Sequence, residues 1–141
     1  MHILMCNDDG ILADGLRHLA SYLSQYYRIT VVAPANEQSA KSHALTTEVP
    51  LKLDACNGED ENPRLYALTG TPSDCMKFGL SYLLTDDMPD LVISGINHGF
   101  NLGSDVLYSG TVSAAMESGF YGIPGLALSV ERYSVERGDE M

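Results

Sequence analysis

The sequence predicts an α/β protein, a three-layer sandwich whose mostly parallel, Rossmann-like sheet carries helices on both faces. Short apolar or β-branched runs alternate with segments of helical periodicity. The connections between them are rich in turn-forming and cap-forming residues. A chain of 141 residues is long enough for one hydrophobic core. We therefore expect residues 1–141 to form a single domain, with a core over residues 1–130 and a charged tail over residues 131–141.

The first elements set this alternation. Ile3-Leu4-Met5 is typical of a short buried strand, and apolar residues then recur at helical spacing over residues 15–27. Ile29-Thr30-Val31-Val32-Ala33 is a β-branched run stopped by Pro34. Residues 36–47 are small and polar with no apolar period, which predicts a long loop.

The later elements continue the pattern. Thr71, Pro72 and Asp74 occupy the N-cap, N1 and N3 positions typical of a helix start. In order, the sequence predicts an edge strand at 49–53, an acidic turn at 57–62, a strand at 65–68, a helix from Thr71, a strand at 91–93 stopping at Ser94-Gly95, a helix at 111–121 ended by Gly122, and a strand at 126–128.

Charge and composition narrow the function classes. Nineteen acidic residues against eight basic ones give a net charge of −11, which argues against binding of a nucleic-acid polymer through its backbone. No segment has the length of a membrane span, and the first residues lack the basic region of a signal peptide. Three widely spaced cysteines without a Cys-x-x-Cys pair suit a reducing compartment. We expect a cytoplasmic protein without a membrane partner.

Two adjacent carboxylates, Asp8 and Asp9, directly follow the first strand. The carboxyl edge of an open α/β sheet is where such folds bind ligands. Neighbouring carboxylates repel each other, and a hard divalent cation with oxygen ligands relieves that repulsion. The alternative is a solvated Asn-Asp-Gly turn.

Two loops offer further oxygen atoms near the same edge. Ser39 follows the second strand and could give a hydroxyl to a cation, although its side chain could equally turn the loop. Asn97 follows the strand at 91–93 and could supply an amide oxygen. His43 and His98 lie in these loops: anchoring by hydrogen bonds is the favoured role for His98, and the sequence leaves general acid and anchor open for His43.

The stretch Ser109-Gly110-Thr111 directly precedes a predicted helix. Hydroxyls and free backbone amides at a helix N-terminus form a ready anion site. The alternative is a plain capped helix after a glycine-rich loop. The Gly-Lys-Ser/Thr core of a P-loop is absent from the sequence.

Several of these stretches carry a family resemblance when they are taken together in order. They are Ile3-Leu4-Met5-Cys6-Asn7-Asp8-Asp9-Gly10, Val32-Ala33-Pro34 with Glu37-Gln38-Ser39, Gly70-Thr71-Pro72-Ser73-Asp74-Cys75, Ser94-Gly95-Ile96-Asn97 with Gly99 and Asn101-Leu102-Gly103, and Asp105-Val106-Leu107-Tyr108-Ser109-Gly110-Thr111-Val112. The sequence closely resembles the survival protein E (SurE) family from residue 1 to about residue 130.

Members of that family are metal-dependent 5′/3′-nucleotidases that act on nucleoside monophosphates and, in some members, on short polyphosphate. The resemblance implies one divalent cation, such as Mg²⁺ or Mn²⁺, on Asp8, Asp9, Ser39 and Asn97. It also implies a homodimer or higher homo-oligomer. The family usually continues into an extended arm used in oligomerisation, so we expect this C-terminal part of the family fold to be absent here.

These observations predict a phosphomonoesterase. Asp8 and Asp9 are its expected catalytic residues, and Asn97, Ser109, Gly110 and Thr111 are expected to hold the substrate phosphate. The alternative is a phospho-acceptor receiver domain, in which Asp8 and Asp9 bind Mg²⁺ and Asp54 accepts the phosphoryl group. Against this alternative, Asp54 does not follow a continuous buried run, and the glycine-rich loop would have no role.

Overall fold

Helices cover both faces of a six-stranded sheet in the computed structural model, which describes residues 1–38, 48–99 and 109–130. The elements are β1 (His2–Cys6), α1 (Asp14–Leu23), β2 (Arg28–Pro34), β3 (Leu53–Ala55), β4 (Arg64–Leu68), α2 (Pro72–Phe78) with a π-helical turn at Gly79–Leu83, β5 (Leu91–His98), α3 (Gly110–Glu117) with a 3₁₀ turn at Ser118–Tyr121, and β6 (Gly125–Val130). The strand order is β3-β4-β2-β1-β5-β6.

The sheet is parallel except at one edge. β1 pairs with β2 and β5, β2 pairs with β4, and β5 pairs with β6, all in parallel. β3 alone among the described strands runs antiparallel, against β4. The prediction of a mostly parallel α/β sheet is therefore confirmed.

Alternate side chains of the central strand pack on opposite faces of the sheet. Leu4 and Cys6 belong to the cluster that also contains Met76 of α2 and Ala114 of α3. Ile3 and Met5 belong to the second cluster, with Leu16 and Ala20 of α1. A strand buried on both faces has no polar alternation, which is why β1 appears in the sequence as a continuous apolar run.

The start of α2 follows the predicted cap. The Thr71 hydroxyl accepts a hydrogen bond from the Asp74 amide at 3.1 Å, and the Asp74 carboxylate accepts one from the Thr71 amide at 2.8 Å. This reciprocal pair satisfies two amides that the helix itself leaves without partners. It fixes the chain direction after β4.

Two boundaries in the N-terminal half differ from the prediction. α1 ends at Leu23 and not at residue 27, because Asn62 donates to the carbonyls of Ser24 and Tyr27, both at 3.0 Å, and so replaces helical bonds. The edge strand lies at Leu53–Ala55 and not at 49–53. Pro50 cannot donate to a sheet ladder, and pairing begins only where Leu53 meets Leu68.

Two boundaries in the C-terminal half also differ. β5 does not stop at Ser94 but runs on to His98, because β6 pairs with its extension at Asn97 and His98. The helix predicted over 111–121 divides into α3 and the 3₁₀ turn, and Gly122 ends it in the left-handed conformation at φ 70°.

Other predictions fall outside the described residues. They include most of the loop predicted at 36–47 and the charged tail at 131–141. Within the described residues, no helix has both the length and the apolar character that a membrane crossing requires.

Candidate active site at the carboxyl edge of the sheet

The candidate site lies where the strand order reverses. The chain places β2 on one side of β1 and later crosses to place β5 on the other side. The connections after β1 and β5 therefore diverge and leave a crevice at the carboxyl ends of these strands, the position at which open α/β sheets bind ligands. Asp8 and Asp9 follow β1, and Asn97 lies near the end of β5.

A buried asparagine shapes the loop that carries the two carboxylates. The fully buried side chain of Asn7 donates to the Gly10 carbonyl at 2.8 Å and accepts from the Gly10 amide at 3.2 Å. Gly10 has φ 105°, a conformation that favours glycine. The asparagine turn that the sequence suggested as an alternative is therefore present, with the Asn7 side chain buried and not solvated.

Asp8 is held against the start of α3. Its side chain is 6% exposed, and its Oδ1 accepts a hydrogen bond from the Thr111 hydroxyl at 3.1 Å. A Cβ atom on Gly110 would lie 2.9 Å from the Asp8 Cβ, so only glycine permits this approach. Burial raises the pKa of Asp8 above its ordinary value of 3.8, and the hydrogen bond from Thr111 lowers it in part.

Asp9 carries an unsatisfied oxygen. Its Oδ2 atom is buried and has no hydrogen-bond partner within the described part of the chain. Burial raises the pKa of Asp9, and the charge of Asp8 raises it further, while His98 lowers it. Such a carboxylate needs a positive partner, so the donor chemistry here fits a cation.

The loop after β2 meets the Asp8 loop, as predicted for neighbouring strands. The Gln38 amide donates to the Asp8 carbonyl at 2.7 Å. Glu37 is close enough for its charge to raise the pKa of both Asp8 and Asp9, a proximity that the sequence analysis did not anticipate. Ser39 and His43 lie outside the described residues, so Ser39 stays a prediction.

Asn97 lies within β5 and not in the loop that the sequence predicted. Its Nδ2 atom donates to the Gly99 carbonyl at 3.0 Å, so the amide oxygen is the atom that this side chain could offer to a cation. Gly95 makes this course possible: it has φ 134°, and a Cβ atom there would collide with the Leu128 carbonyl. His98 ends the strand as an exposed residue.

The start of α3 combines a cap with a contact to the carboxylate loop. The Ser109 hydroxyl accepts from the Val112 amide at 3.2 Å, so this residue caps its own helix. The Thr111 side chain is fully buried and its hydroxyl is directed to Asp8. Both hydroxyls thus have partners inside the protein, so an anion at this turn would be held mainly by the first backbone amides of α3.

Asp54 lies apart from this site. It is an exposed residue of β3, at the far edge of the sheet, and pairs with Lys52 at 3.4 Å. In the sheet, β4, β2 and β1 lie between β3 and β5. The receiver alternative requires Asp54 to lie close to Asp8 and Asp9, and the structure does not place it there.

The predicted donor set of the site is the two carboxylates, the Asn97 amide and the Ser39 hydroxyl. In residues 1–38, 48–99 and 109–130 there is no group of three or more His, Cys, Asp or Glu side chains arranged to hold a metal ion. A metal here would thus need neutral oxygen ligands beside the carboxylates, as Mg²⁺ accepts.

These features define an α/β protein with a carboxylate-lined site at the switch point of a parallel sheet, facing the N-terminus of a helix. The family model described as "Survival protein SurE" matches residues 3–140. The chain belongs to the SurE family.

Relatives and a solved structure agree with this assignment. The chain is 54% identical over 129 residues to the 5′-nucleotidase SurE of Thermoanaerobacter sp. (strain X514), covering 92% of this chain and 50% of that protein. It is 50% identical over 130 residues to the 5′-nucleotidase SurE of Vibrio vulnificus (strain YJ016), covering 92% and 49%. A crystal structure of the SurE protein from Aquifex aeolicus matches with a TM-score of 0.79 at 43% identity, covering 92% and 50%. The chain spans about half the length of the curated relatives it matches.

Proposed function

We propose that this protein is a metal-dependent phosphomonoesterase that hydrolyses nucleoside 5′- and 3′-monophosphates to nucleoside and phosphate, and also short polyphosphate. The observation that carries the proposal is the pair of neighbouring carboxylates Asp8 and Asp9, of which Asp8 is buried against the first turn of α3 and Asp9 is partly buried beside it. The 5′-nucleotidase names of relatives about half identical to this chain support the 5′ activity.

Asp8, Asp9, Asn97 and Ser39 would hold one divalent cation such as Mg²⁺ or Mn²⁺. The buried, unpartnered Oδ2 of Asp9 supports this assignment within the described residues, since such an atom gains most from a positive partner. When bound, the cation supplies polarisation of a phosphoryl oxygen and a water of lowered pKa.

The protein's own groups would bind and orient the phosphate. Ser109, Gly110 and Thr111 form the N-terminus of α3, whose first amides and dipole favour a dianionic group. Donors held by a helix do not need to reorganise as charge develops on the phosphoryl oxygens, so they lower the barrier to transfer. Asn97, at the end of β5, would approach the phosphate from the opposite side of the crevice.

The substrate test is a release assay for inorganic phosphate with nucleoside 5′-, 3′- and 2′-monophosphates and short polyphosphate. We expect release from the 5′ and 3′ esters in the presence of Mg²⁺ or Mn²⁺ and none with excess EDTA. Full activity in EDTA would contradict the metal mechanism. Stable phosphate on Asp54 after incubation with a phosphoryl donor and Mg²⁺ would instead favour a receiver domain.

We also propose a homodimer or higher homo-oligomer. Apolar side chains lie exposed near the edge strand β6: Phe120 is 81% exposed and Leu126 is 48% exposed. Leu126 and its neighbour Ala127 are both exposed on β6, and exposed apolar surface favours association. Light scattering on the purified protein tests the proposal, and a monodisperse monomer across the micromolar range would contradict it.

A further inference from the structure

One hydrogen bond joins the carboxylate loop to the helix that would hold the phosphate. Thr111 donates from its hydroxyl to Asp8 Oδ1 at 3.1 Å, across 103 positions of sequence. Both partners are buried, since Thr111 has no exposed surface and Asp8 is 6% exposed. The separation is long for a hydroxyl donor, so the bond is not a short charge-assisted one, but burial shields it from competition by water.

The geometry restricts Asp8 from one side. Threonine is stiff at χ1 within a helix, so its hydroxyl has few alternative positions. Gly110 brings the helix backbone against the Asp8 side chain, where a Cβ atom would lie 2.9 Å from the Asp8 Cβ and 3.5 Å from its Oδ2. The first turn of α3 therefore acts on the Asp8 carboxylate as both a wall and a hydrogen-bond donor.

The bond also leaves the carboxylate able to bind a cation. An ionised carboxylate has about four lone-pair sites, and the Thr111 hydroxyl uses one of them. Groups that hold a metal ligand through its remaining lone pairs set the orientation of that ligand.

We infer that Thr111 is a positioning residue for Asp8, whose hydroxyl orients the carboxylate for the divalent cation, and does not mainly bind the substrate phosphate. The inference rests on the proposed function, because it requires a cation at Asp8 and Asp9. It assigns the hydroxyl to the metal half of the site, whereas the sequence analysis assigned it to the phosphate half.

The test is calorimetric titration of Mn²⁺ into the substrate-free protein. We expect Thr111→Val, which keeps the shape and removes the hydroxyl, to weaken Mn²⁺ binding by about 10- to 100-fold. Thr111→Ser, which restores the hydroxyl, should recover most of this loss. Ser113→Ala is the matched control, because it removes another buried hydroxyl of α3, one that donates to the Gly110 carbonyl at 3.1 Å, and it should bind Mn²⁺ as the unsubstituted protein does.

Each other outcome is decisive. Unchanged Mn²⁺ affinity in Thr111→Val, with a raised KM for a nucleoside monophosphate, would overturn the inference and leave the proposed function standing. Lower thermal stability without a change in Mn²⁺ affinity would reduce Thr111 to a structural role and overturn it too. If Thr111→Val does not fold, Thr111→Ala compared with Thr111→Ser gives the same answer. Absence of Mn²⁺ binding by the unsubstituted protein would overturn the proposed metal function and this inference with it.

Discussion

The two ends of the central strand β1 differ in the charges that surround their buried polar groups. At its N-terminal end, His2 is 3% exposed, its Nε2 lies 2.9 Å from the Thr30 hydroxyl, and its amide donates to Asp90 at 2.8 Å. Arg28 and Asp87 pair beside it at 2.7 Å. At the C-terminal end, Asp8 and Asp9 stand together, and Glu37 adds a third negative charge nearby.

Under the proposed function, this difference separates a structural end of β1 from a functional one. Groups of opposite charge lie together at the N-terminal end, where the buried His2 Nδ1 atom is 3.6 Å from the Asp87 carboxylate, whereas charges of one sign accumulate at the C-terminal end. A cavity of about 500 Å³ does lie at the N-terminal end, lined in part by Tyr26, Tyr27 and Asn62, but the Asn62 side chain there is already bonded to three backbone groups. The carboxylate end is therefore the one at which a bound cation would relieve the repulsion between like charges.

The largest expected effect is loss of phosphate release from Asp8→Asn or Asp9→Asn. Either change removes a negative ligand, and cation stabilisation of a phosphoryl transition state is worth several kcal/mol, so we expect a fall in kcat of at least about a hundredfold. Phosphate release from a nucleoside monophosphate with saturating Mg²⁺ measures it.

The same variants should keep their fold. In EDTA, their melting temperature should equal or exceed that of the unsubstituted protein, because they relieve repulsion between buried like charges. A clear loss of metal-free stability would show that the carboxylate end is structural after all.

A substitution at Gly110 should have the next largest effect. In Gly110→Ala, the new Cβ meets the Asp8 Cβ at 2.9 Å and the Pro72 Cγ at 3.1 Å, and overpacking of this kind lowers the free energy of unfolding by about 1–3 kcal/mol. Gly119→Ala is the control, because no heavy atom lies within 4 Å of its new Cβ. Chemical denaturation of both variants measures the difference. Equal decreases in the free energy of unfolding would mean that the contact between Gly110 and Asp8 is not tightly packed.

Substitutions at Ser109 should have a smaller effect on stability, and two of them distinguish its role as a helix cap from a role in anion binding. Ser109→Ala removes the acceptor for the Val112 amide, which lowers the free energy of unfolding by about 1 kcal/mol, and it should raise KM. Ser109→Asp keeps a cap acceptor but adds a negative charge, so it should retain stability and lose phosphate binding. Retained binding in the aspartate variant would contradict an anion site at this turn.

The smallest expected effect lies at the other end of β1. Burial, and then the charge of Arg28, lower the pKa of His2 below its ordinary value of 6.5, while Asp87 and Asp90 raise it in part. The unfolded chain therefore binds the proton more tightly than the folded protein, so the His2 contribution to stability is complete above pH 6.5 and is lost as the pH falls below it.

Melting temperatures between pH 7.5 and pH 5 check this sign. His2→Gln should flatten the fall in stability relative to the unsubstituted protein, and His18→Gln, on the exposed surface of α1, should not. A steeper fall in melting temperature for His2→Gln would mean that folding raises, and does not lower, the pKa of His2.

Local patterns in the sequence determined the parallel α/β class, the cap of α2 and the adjacency of Asp8 and Asp9. These features depend on residues a few positions apart, whose periodicity and hydrogen bonding act before any tertiary contact forms. The crevice at the end of β1 also followed, because the alternation of strands and helices implies a parallel sheet.

Only the tertiary structure decided what the site residues touch. β5 continues to His98 because β6 pairs with it, so Asn97 lies on a strand and not in a loop. The Thr111 hydroxyl donates to Asp8 because the first turn of α3 packs against the β1 loop, a contact across 103 positions that no local pattern contains. Strand register and helix packing depend on the whole hydrophobic core, and therefore a sequence that predicts the candidate residues cannot assign each hydroxyl to its partner.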